Sequence, residues 1–214
     1  MDEFWTTLQH LVDAEALLKS GGFYLLLFIV FAETGLFFGF FLPGDYLLFL
    51  AGLFVASGIL DTNIYTLCVG LILAAVIGNF VGYVFGRRAG PMLFKREDSL
   101  LFKKKYVVVA EEFYHKYGAA ALILGRFLPI IRTFAPIFAG IVRVDFKKFA
   151  LYNVVGALLW VLTLTLAGYF LGKEFPQIIN YIEYIVVGFI VFATGPILYA
   201  FLKRQFKHRK AKDI

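Results

Sequence analysis

The chain has 214 residues, of which 61% are hydrophobic and 19% aromatic, and its net charge is +6. A soluble domain is nearer half apolar, so this composition excludes an ordinary soluble globular protein and predicts an integral membrane protein. Most basic residues lie in three clusters beside apolar segments, at 87–116, 143–148 and 203–212. Such clusters are typical of cytoplasmic anchoring to anionic lipid, and they argue against a nucleic-acid-binding face.

The first element in chain order is an amphipathic segment at residues 1–20. Phe4, Leu8 and Leu11 recur at helical spacing among acidic and polar residues. This pattern predicts a helix lying in the membrane interface. The sequence does not determine on which side of the membrane this helix lies. A cleaved signal peptide would begin with basic residues, so the acidic start argues against one.

A long apolar block follows at residues 23–56. It is interrupted by glycine, proline and acidic residues, namely Glu33, Gly35, Gly39, Pro43, Gly44 and Asp45. The block is either two spans or a hairpin that enters and leaves on one side. Its second arm, 46–56, would be about 16 Å long as a helix, whereas the hydrocarbon core is about 30 Å thick. We therefore predict a re-entrant hairpin.

Residues 64–85 form an uninterrupted apolar segment that predicts a transmembrane helix. It ends at Arg87 and Arg88, which indicates a cytoplasmic end. The next segment, 95–117, is charged on one side and apolar on the other, and it predicts a cytoplasmic surface helix. Its residues 111–115 combine carboxylates with a histidine, but a solvated charged face explains them, so no metal site is predicted.

Residues 118–141 are apolar but carry two charges and two prolines, at Arg126, Pro129, Arg132 and Pro136. Each proline removes an N–H donor, and each charge in hydrocarbon costs about 2.5–3.5 kcal/mol. Such features are tolerated only against protein or a water-filled cavity, which predicts a functional site. The alternative is that the arginines reach up to the headgroups.

Basic clusters flank this stretch on both sides, so we predict a second re-entrant hairpin at 118–141 that enters and leaves from the cytoplasm. Half-helices that start after Pro129 and Pro136 would offer backbone N–H donors to an anion. Paired arginines also suit a phosphate, because a planar guanidinium can hold two oxygens.

Two further apolar segments, 154–171 and 184–202, predict transmembrane helices that leave the basic tail 203–214 in the cytoplasm. Asn153 and Trp160 are interpreted as a helix-start residue and a packing residue. The predicted fold class is an all-α polytopic membrane protein of one domain. It is an inverted repeat of two re-entrant helical hairpins, with about three full transmembrane helices and interfacial amphipathic helices.

The two predicted hairpins carry opposite charges: Glu33 and Asp45 lie on the first, Arg126 and Arg132 on the second. If the tips meet, the four charges would partly neutralise one another. A carboxylate near a bound anion can exchange a proton, so Glu33 and Asp45 are candidate proton carriers, with a purely structural ion pair as the alternative. No histidine lies in a predicted span, which argues against histidine-dependent membrane hydrolases. We predict no enzyme, cofactor or metal.

These residues resemble the signature motifs of the DedA family, the bacterial members of the VTT (SNARE-associated) domain group. The first motif is Glu33-x-Gly35 followed by Pro43-Gly44-Asp45. The second is Gly125-Arg126-Phe127-x-Pro129-x-x-Arg132-x-x-x-Pro136-x-x-Ala139-Gly140. The similarity of order and size covers roughly residues 21–202. One departure is Ile130, where a smaller residue is common.

The resemblance implies two re-entrant hairpins that face each other and a protein that moves lipid across the bilayer. In bacteria it implies recycling of undecaprenyl phosphate from the outer to the inner leaflet of the inner membrane, coupled to the proton motive force. Glu33, Asp45, Arg126 and Arg132 match the family's essential positions. The residues expected to support the hairpins are Gly35, Pro43, Gly44, Gly125, Pro129, Pro136 and Gly140.

Two other classes of function stay open. One is a general phospholipid scramblase, and the other is a proton or ion antiporter or a scaffold in envelope homeostasis. The expected partners are a lipid phosphate, protons and the membrane, without nucleic acid. The sequence does not determine whether the chain forms a homo-oligomer.

Overall fold

The computed structural model describes residues 14–36, 44–95 and 129–182, together with positions 123, 126, 184 and 188. These ranges contain five α-helices and a short 3₁₀ segment, and no strand. The helices are α1 (Ala14–Gly35), α2 (Gly44–Ala56), α3 (Ile64–Lys95), α4 (Pro129–Ile141) and α5 (Phe146–Glu174), followed by the 3₁₀ segment Pro176–Tyr181. The predicted all-α class is confirmed for this part of the chain.

Two helices in the described ranges are long and apolar enough to cross a membrane, Ile64–Gly90 and Phe146–Glu174. Their outer faces expose large apolar side chains to the surroundings, including Val69, Leu73, Ile77, Leu151 and Leu159. Exposed apolar surface on helices of this length is what a hydrocarbon environment requires. The chain is a membrane protein.

The other apolar helices are shorter. α1 breaks its helical geometry at Gly22, where φ is +55°, a value that glycine adopts without strain. α2 and α4 have 13 residues each and are therefore about 20 Å long, less than the hydrocarbon thickness of about 30 Å. Short helices thus occur in both stretches where re-entrant hairpins are predicted, while re-entry itself stays a prediction.

Several predicted segments lie outside the described residues. These are most of the interfacial helix (1–13), the first hairpin turn (37–43), the surface helix (96–117), most of the first arm of the second hairpin (118–128), most of the last span (184–202) and the basic tail (203–214).

Both long helices extend beyond the predicted spans. α3 starts at Ile64, as the apolar run predicts, but continues to Lys95. α5 starts at Phe146 because Asp145 caps it: the Asp145 carboxylate accepts the backbone N–H of Lys148 at 3.0 Å. Asn153 therefore lies well inside α5, and its interpretation as a helix-start residue is wrong.

Each short helix packs against the long helix of the other half of the chain: α2 lies on α5, and α4 lies on α3. Glycines make these crossings close. A Cβ atom on Gly52 of α2 would lie 1.9 Å from the carbonyl oxygen of Thr165. A Cβ atom on Gly140 of α4 would lie 2.1 Å from the carbonyl oxygen of Tyr83. Both distances are far below van der Waals contact, so only glycine fits at either crossing.

Glycines on the long helices allow close approach at the same two crossings. A Cβ atom on Gly168 of α5 would lie 1.9 Å from the carbonyl oxygen of Phe49, and one on Gly86 of α3 would lie 2.0 Å from that of Ile137. The equivalence continues one turn further along each crossing, in the pairs Gly172 with Leu53 and Gly90 with Ile141. The two halves of the chain therefore pack through matching contacts, as an internal repeat predicts.

Candidate functional site

Arg132, near the start of α4, joins the first half of the chain to the second. Its Nη1 donates a hydrogen bond to Oδ1 of Asp45, in the first turn of α2. Its Nη2 donates to Oε1 of Glu33, near the end of α1. Asp45 is favoured at a helix N-terminus, whereas Glu33 lies at the negative end of α1 and depends on Arg132 for compensation. The structure thus brings three of the four predicted charges together.

Trp160 of α5 completes this arrangement. Its Nε1 donates to Oδ1 of Asp45 at 2.8 Å, and the Cζ atom of Arg132 lies 4.5 Å from the centroid of its ring. The tryptophan therefore supplies both a hydrogen bond and a cation–π contact, in addition to the packing expected of it. We call Glu33, Asp45, Arg132 and Trp160 the Arg132 cluster.

Most of the Arg132 cluster is closed to the surroundings. Arg132 is 3% exposed and Glu33 is 1% exposed, whereas the Asp45 side chain is 28% exposed. A buried ion pair is stable only when its hydrogen bonds are well satisfied, and removing one partner is costly. Within the cluster, Asp45 is thus the carboxylate that a proton or a ligand can reach without a change in helix packing.

Arg126 makes different contacts. It is 2% exposed, and its Nη2 donates to Oδ1 of Asn153 on α5. Among the described residues, no carboxylate pairs with it. The predicted partial neutralisation therefore takes the form of direct ion pairs at Arg132, whereas the hydrogen-bond acceptor described for Arg126 is a neutral amide.

Two asparagines from the two long helices hold Arg126. Asn153 donates to the carbonyl of Val76 at 3.1 Å, and Nδ2 of Asn79 lies 2.8 Å from Oδ1 of Asn153. With the Asn79 amide turned over, its oxygen accepts from Arg126 and its nitrogen donates to the carbonyl of Thr34 at 3.0 Å. Either orientation ties Asn79 to the same network. We call Arg126, Asn79 and Asn153 the Arg126 group.

The predicted glycines allow close approach around these side chains. A Cβ atom on Gly44 would lie 1.4 Å from Oε2 of Glu33, so any side chain there would displace the carboxylate. A Cβ atom on Gly35 would lie 2.8 Å from the carbonyl oxygen of Gly78, where α1 crosses α3. Gly140 serves the α3–α4 crossing in the same way.

The predicted prolines differ in position. Pro129 is the first residue of α4, where a missing N–H costs nothing. Pro136 lies inside α4, so the expectation that a half-helix starts there is wrong. Because Pro136 has no N–H, the carbonyl of Arg132 receives no hydrogen bond from that position. Pro43 and Gly125 lie outside the described residues.

Sequence reasoning missed Asn79 and Asn153 as site residues and assigned Trp160 to packing alone. Asn79 lies in the apolar segment that predicts an uninterrupted span. A buried amide in such a segment is itself a signal, because a polar group in hydrocarbon needs a partner. The sequence offers no sign of which charged residue that partner is.

An open apolar groove of about 730 Å³ runs along α3, and its described lining residues include none of the predicted site residues. It is lined by Ile77, Phe80, Val81, Val84, Phe85, Arg88 and Ala89. Within the described ranges, no three His, Cys, Asp or Glu side chains are grouped as metal ligands would be. Among the described residues, the site offers two guanidiniums, two carboxylates, two amides and the indole N–H of Trp160.

Comparison with known proteins identifies relatives over most of the chain. The family described as VTT domain matches residues 42–170. Protein DedA of Escherichia coli (strain K12) is 41% identical over 187 residues, which cover 87% of this chain and 85% of that protein. Inner membrane protein YqjA of the same strain is 34% identical over 197 residues, 88% of each chain. An uncharacterized membrane protein of Mycobacterium leprae is 41% identical over 174 residues, 81% of this chain and 77% of that protein. No solved structure matches the chain.

Proposed function

We propose that this chain, which belongs to the DedA family of VTT-domain membrane proteins, moves a lipid phosphate across the membrane. The substrate that the family resemblance implies is undecaprenyl phosphate, carried from the outer to the inner leaflet of a bacterial inner membrane with the proton motive force. The observation that carries this proposal is the Arg132 cluster, in which carboxylates from α1 and α2 share one buried guanidinium, with the buried Arg126 as a second cation.

The packing of the helices supports an inverted repeat of two re-entrant hairpins, at 23–56 and 118–141. Short helices that lie against the long helix of the opposite half would end within the hydrocarbon, and their ends would meet near the bilayer midplane. Broken backbone and charge are tolerated there because protein surrounds them. A cytoplasmic C-terminus and a multi-pass arrangement belong to the same proposal.

The Arg132 cluster suggests how protons couple to an anion. Asp45 and Glu33 both bind the guanidinium of Arg132, so they compete with a phosphate for its N–H donors. A proton that binds one carboxylate removes one negative charge and weakens its hold on Arg132. A phosphate can then take that place, and when it leaves on the other side the carboxylate releases the proton and binds Arg132 again.

Transport of labelled undecaprenyl phosphate in reconstituted vesicles tests this proposal. The wild-type protein should exchange the lipid between leaflets faster than Glu33→Gln or Arg126→Lys, and a pH gradient across the membrane should change the rate. Arg143→Lys and Glu174→Gln are matched controls on exposed residues outside the site, and they should behave as wild type. Equal rates for all variants would contradict the proposal. Equal rates for a labelled phospholipid, without dependence on the gradient, would indicate a general scramblase.

A second candidate, a proton or ion antiporter, is favoured by one observation. The protein's own carboxylates already satisfy the charge of Arg132, so the cluster can exchange protons without any lipid. Vesicles without the carrier lipid distinguish the two candidates. Ion movement driven by a pH step in these vesicles would support the antiporter, and its absence, together with lipid exchange in loaded vesicles, would support the lipid transporter.

A further inference from the structure

We infer that Arg126 is the arginine that first receives the phosphate of the substrate, and that Asn79 and Asn153 are positioning residues that hold its guanidinium without neutralising it. The inference rests on the proposed function for the identity of the lipid, but the anion site itself is argued from contacts within the Arg126 group.

The two buried arginines differ in what satisfies them. Arg132 donates to two carboxylates and lies over the ring of Trp160, so its charge is compensated by the protein. Arg126 donates to a neutral amide, and its Nη1 is buried without a hydrogen-bond partner. A buried cation without a counter-ion is costly, and an anion that accepts from Nη1 would lower that cost. Arg132 also has one buried donor without a partner, its Nε, but two carboxylates compensate its charge. Among the described residues, the uncompensated positive charge of the site is therefore at Arg126.

The amides fix the orientation of this guanidinium. Asn153 is anchored to the backbone of α3 through the carbonyl of Val76, and Asn79 reaches the same network from α3. A Cβ atom on Gly156 would lie 3.1 Å from Cδ and Nε of Arg126, so the arginine lies directly against the backbone of α5. An amide oxygen accepts N–H groups and leaves the positive charge in place, whereas a carboxylate would cancel it.

The neighbourhood of Arg126 also favours a phosphate monoester. α4 begins at Pro129, three residues after Arg126, which places its N-terminus within about 10 Å along the chain. The first-turn N–H groups of a helix and its dipole stabilise an anion. A monoester has three terminal oxygens, so it can accept hydrogen bonds from more than one donor group at once. Arg126 and Arg132 repel each other, and a dianion between them would relieve that repulsion.

The decisive variants place a carboxylate against Arg126. In Asn153→Asp and Asn79→Asp, the new carboxylate lies beside Nη2 and pairs with the guanidinium. We expect each variant to bind farnesyl phosphate at least about tenfold more weakly than wild type, measured by titration calorimetry of the full chain in detergent. Thermal unfolding should stay close to wild type, because an ion pair replaces a neutral hydrogen bond.

A purely structural role for the amides predicts the opposite result, because an ion pair would then hold the helices together equally well. Unchanged affinity in a folded aspartate variant would therefore overturn the inference. The two variants lose different contacts, since Asn153 donates to Val76 and Asn79 does not, so one tests the site if the other fails to fold. Arg126→Lys, which keeps the charge without the planar fork, should also weaken binding, and wild-type affinity in that variant would likewise overturn the inference.

Two comparisons separate this inference from the proposed function. Farnesol, which has the same chain without phosphate, should not compete with farnesyl phosphate. Inorganic phosphate that competes at concentrations similar to those of farnesyl phosphate would show that the site binds free phosphate. The assignment of Arg126 as the anion-binding arginine would then stand, but the proposal of a lipid substrate would be contradicted. Wild-type transport of undecaprenyl phosphate in a folded Asn153→Asp variant would overturn the inference and leave the proposed function intact.

Discussion

The two halves of the molecule, described over residues 14–36 and 44–95 and over residues 126 and 129–174, share their helix contacts but differ in charge. In both halves a short helix crosses the long helix of the other half at paired glycines, Gly52 with Gly168 and Gly140 with Gly86. Among the described residues, however, the two carboxylates that pair with Arg132 lie in the first half and the two buried arginines lie in the second. The matching contacts therefore supply the scaffold, whereas the charged groups of the site are divided between the two halves and come together only where the halves meet.

The two halves also resemble each other at the N-terminal ends of their long helices. Asn63 precedes α3 and accepts the backbone N–H of Tyr65 at 2.8 Å, and Asp145 caps α5 in a related way. Both residues satisfy N–H groups that the first turn of a helix leaves free. Contacts that maintain the scaffold are therefore paired between the halves, and mutations should affect the two members of a pair to a similar extent.

The largest effect is expected from Arg132→Ala, which breaks the one described link between the charges of the two halves. It leaves Glu33 and Asp45 without a counter-ion, and loss of one partner from a buried ion pair costs about 3–5 kcal/mol. Thermal unfolding in detergent should show a large drop in midpoint. Arg126→Ala should cost less, because it leaves neutral amides. The double variant Glu33→Gln, Arg132→Gln should recover part of the loss, and no recovery would contradict this account.

An intermediate effect is expected from the crossing glycines. In Gly52→Ala and Gly140→Ala the added methyl group meets a backbone carbonyl, which cannot move aside, so each should lose about 1–3 kcal/mol. The matched control is Gly82→Ala on α3, where a Cβ atom would meet its neighbours at an ordinary 3.6 Å. That variant should keep or gain stability, since alanine favours a helix. A loss in only one of the two crossing variants would show that the halves do not pack equivalently.

The smallest effect is expected from the helix caps. Asn63→Ala and Asp145→Ala each remove one side-chain acceptor at an exposed helix start, and each should cost about 1 kcal/mol. Lipid transport should be unchanged, because neither residue lies near the Arg132 cluster or the Arg126 group in the chain. For each variant, the unfolding midpoint and the rate of lipid exchange are measured. A clear difference in midpoint between the two cap variants would contradict the equivalence of the two halves.

Part of the fold follows directly from local pattern. The apolar run that starts at Ile64 predicts one long helix, which is found, and Pro129 stands at the start of α4. The start of α5 was placed too late, because apolar length marks the membrane-spanning part of a helix and not the cap at Asp145. Pro136 was taken for a helix boundary, yet packing against α3 holds it inside α4. Tertiary contacts outweigh local propensity at such positions.

The charges of Glu33, Asp45, Arg126 and Arg132 were visible in the sequence because hydrocarbon makes each one expensive, which is a property of composition alone. Their pairing was not visible. Arg132 takes both carboxylates and Arg126 takes none among the described residues, since the glycine crossings and the amides of Asn79 and Asn153 set their positions. The sequence by itself determined that the chain is a membrane protein with charged residues within its apolar segments. Only the tertiary structure decided which charge is satisfied, because a counter-ion is chosen by distance in space and not by position in the chain.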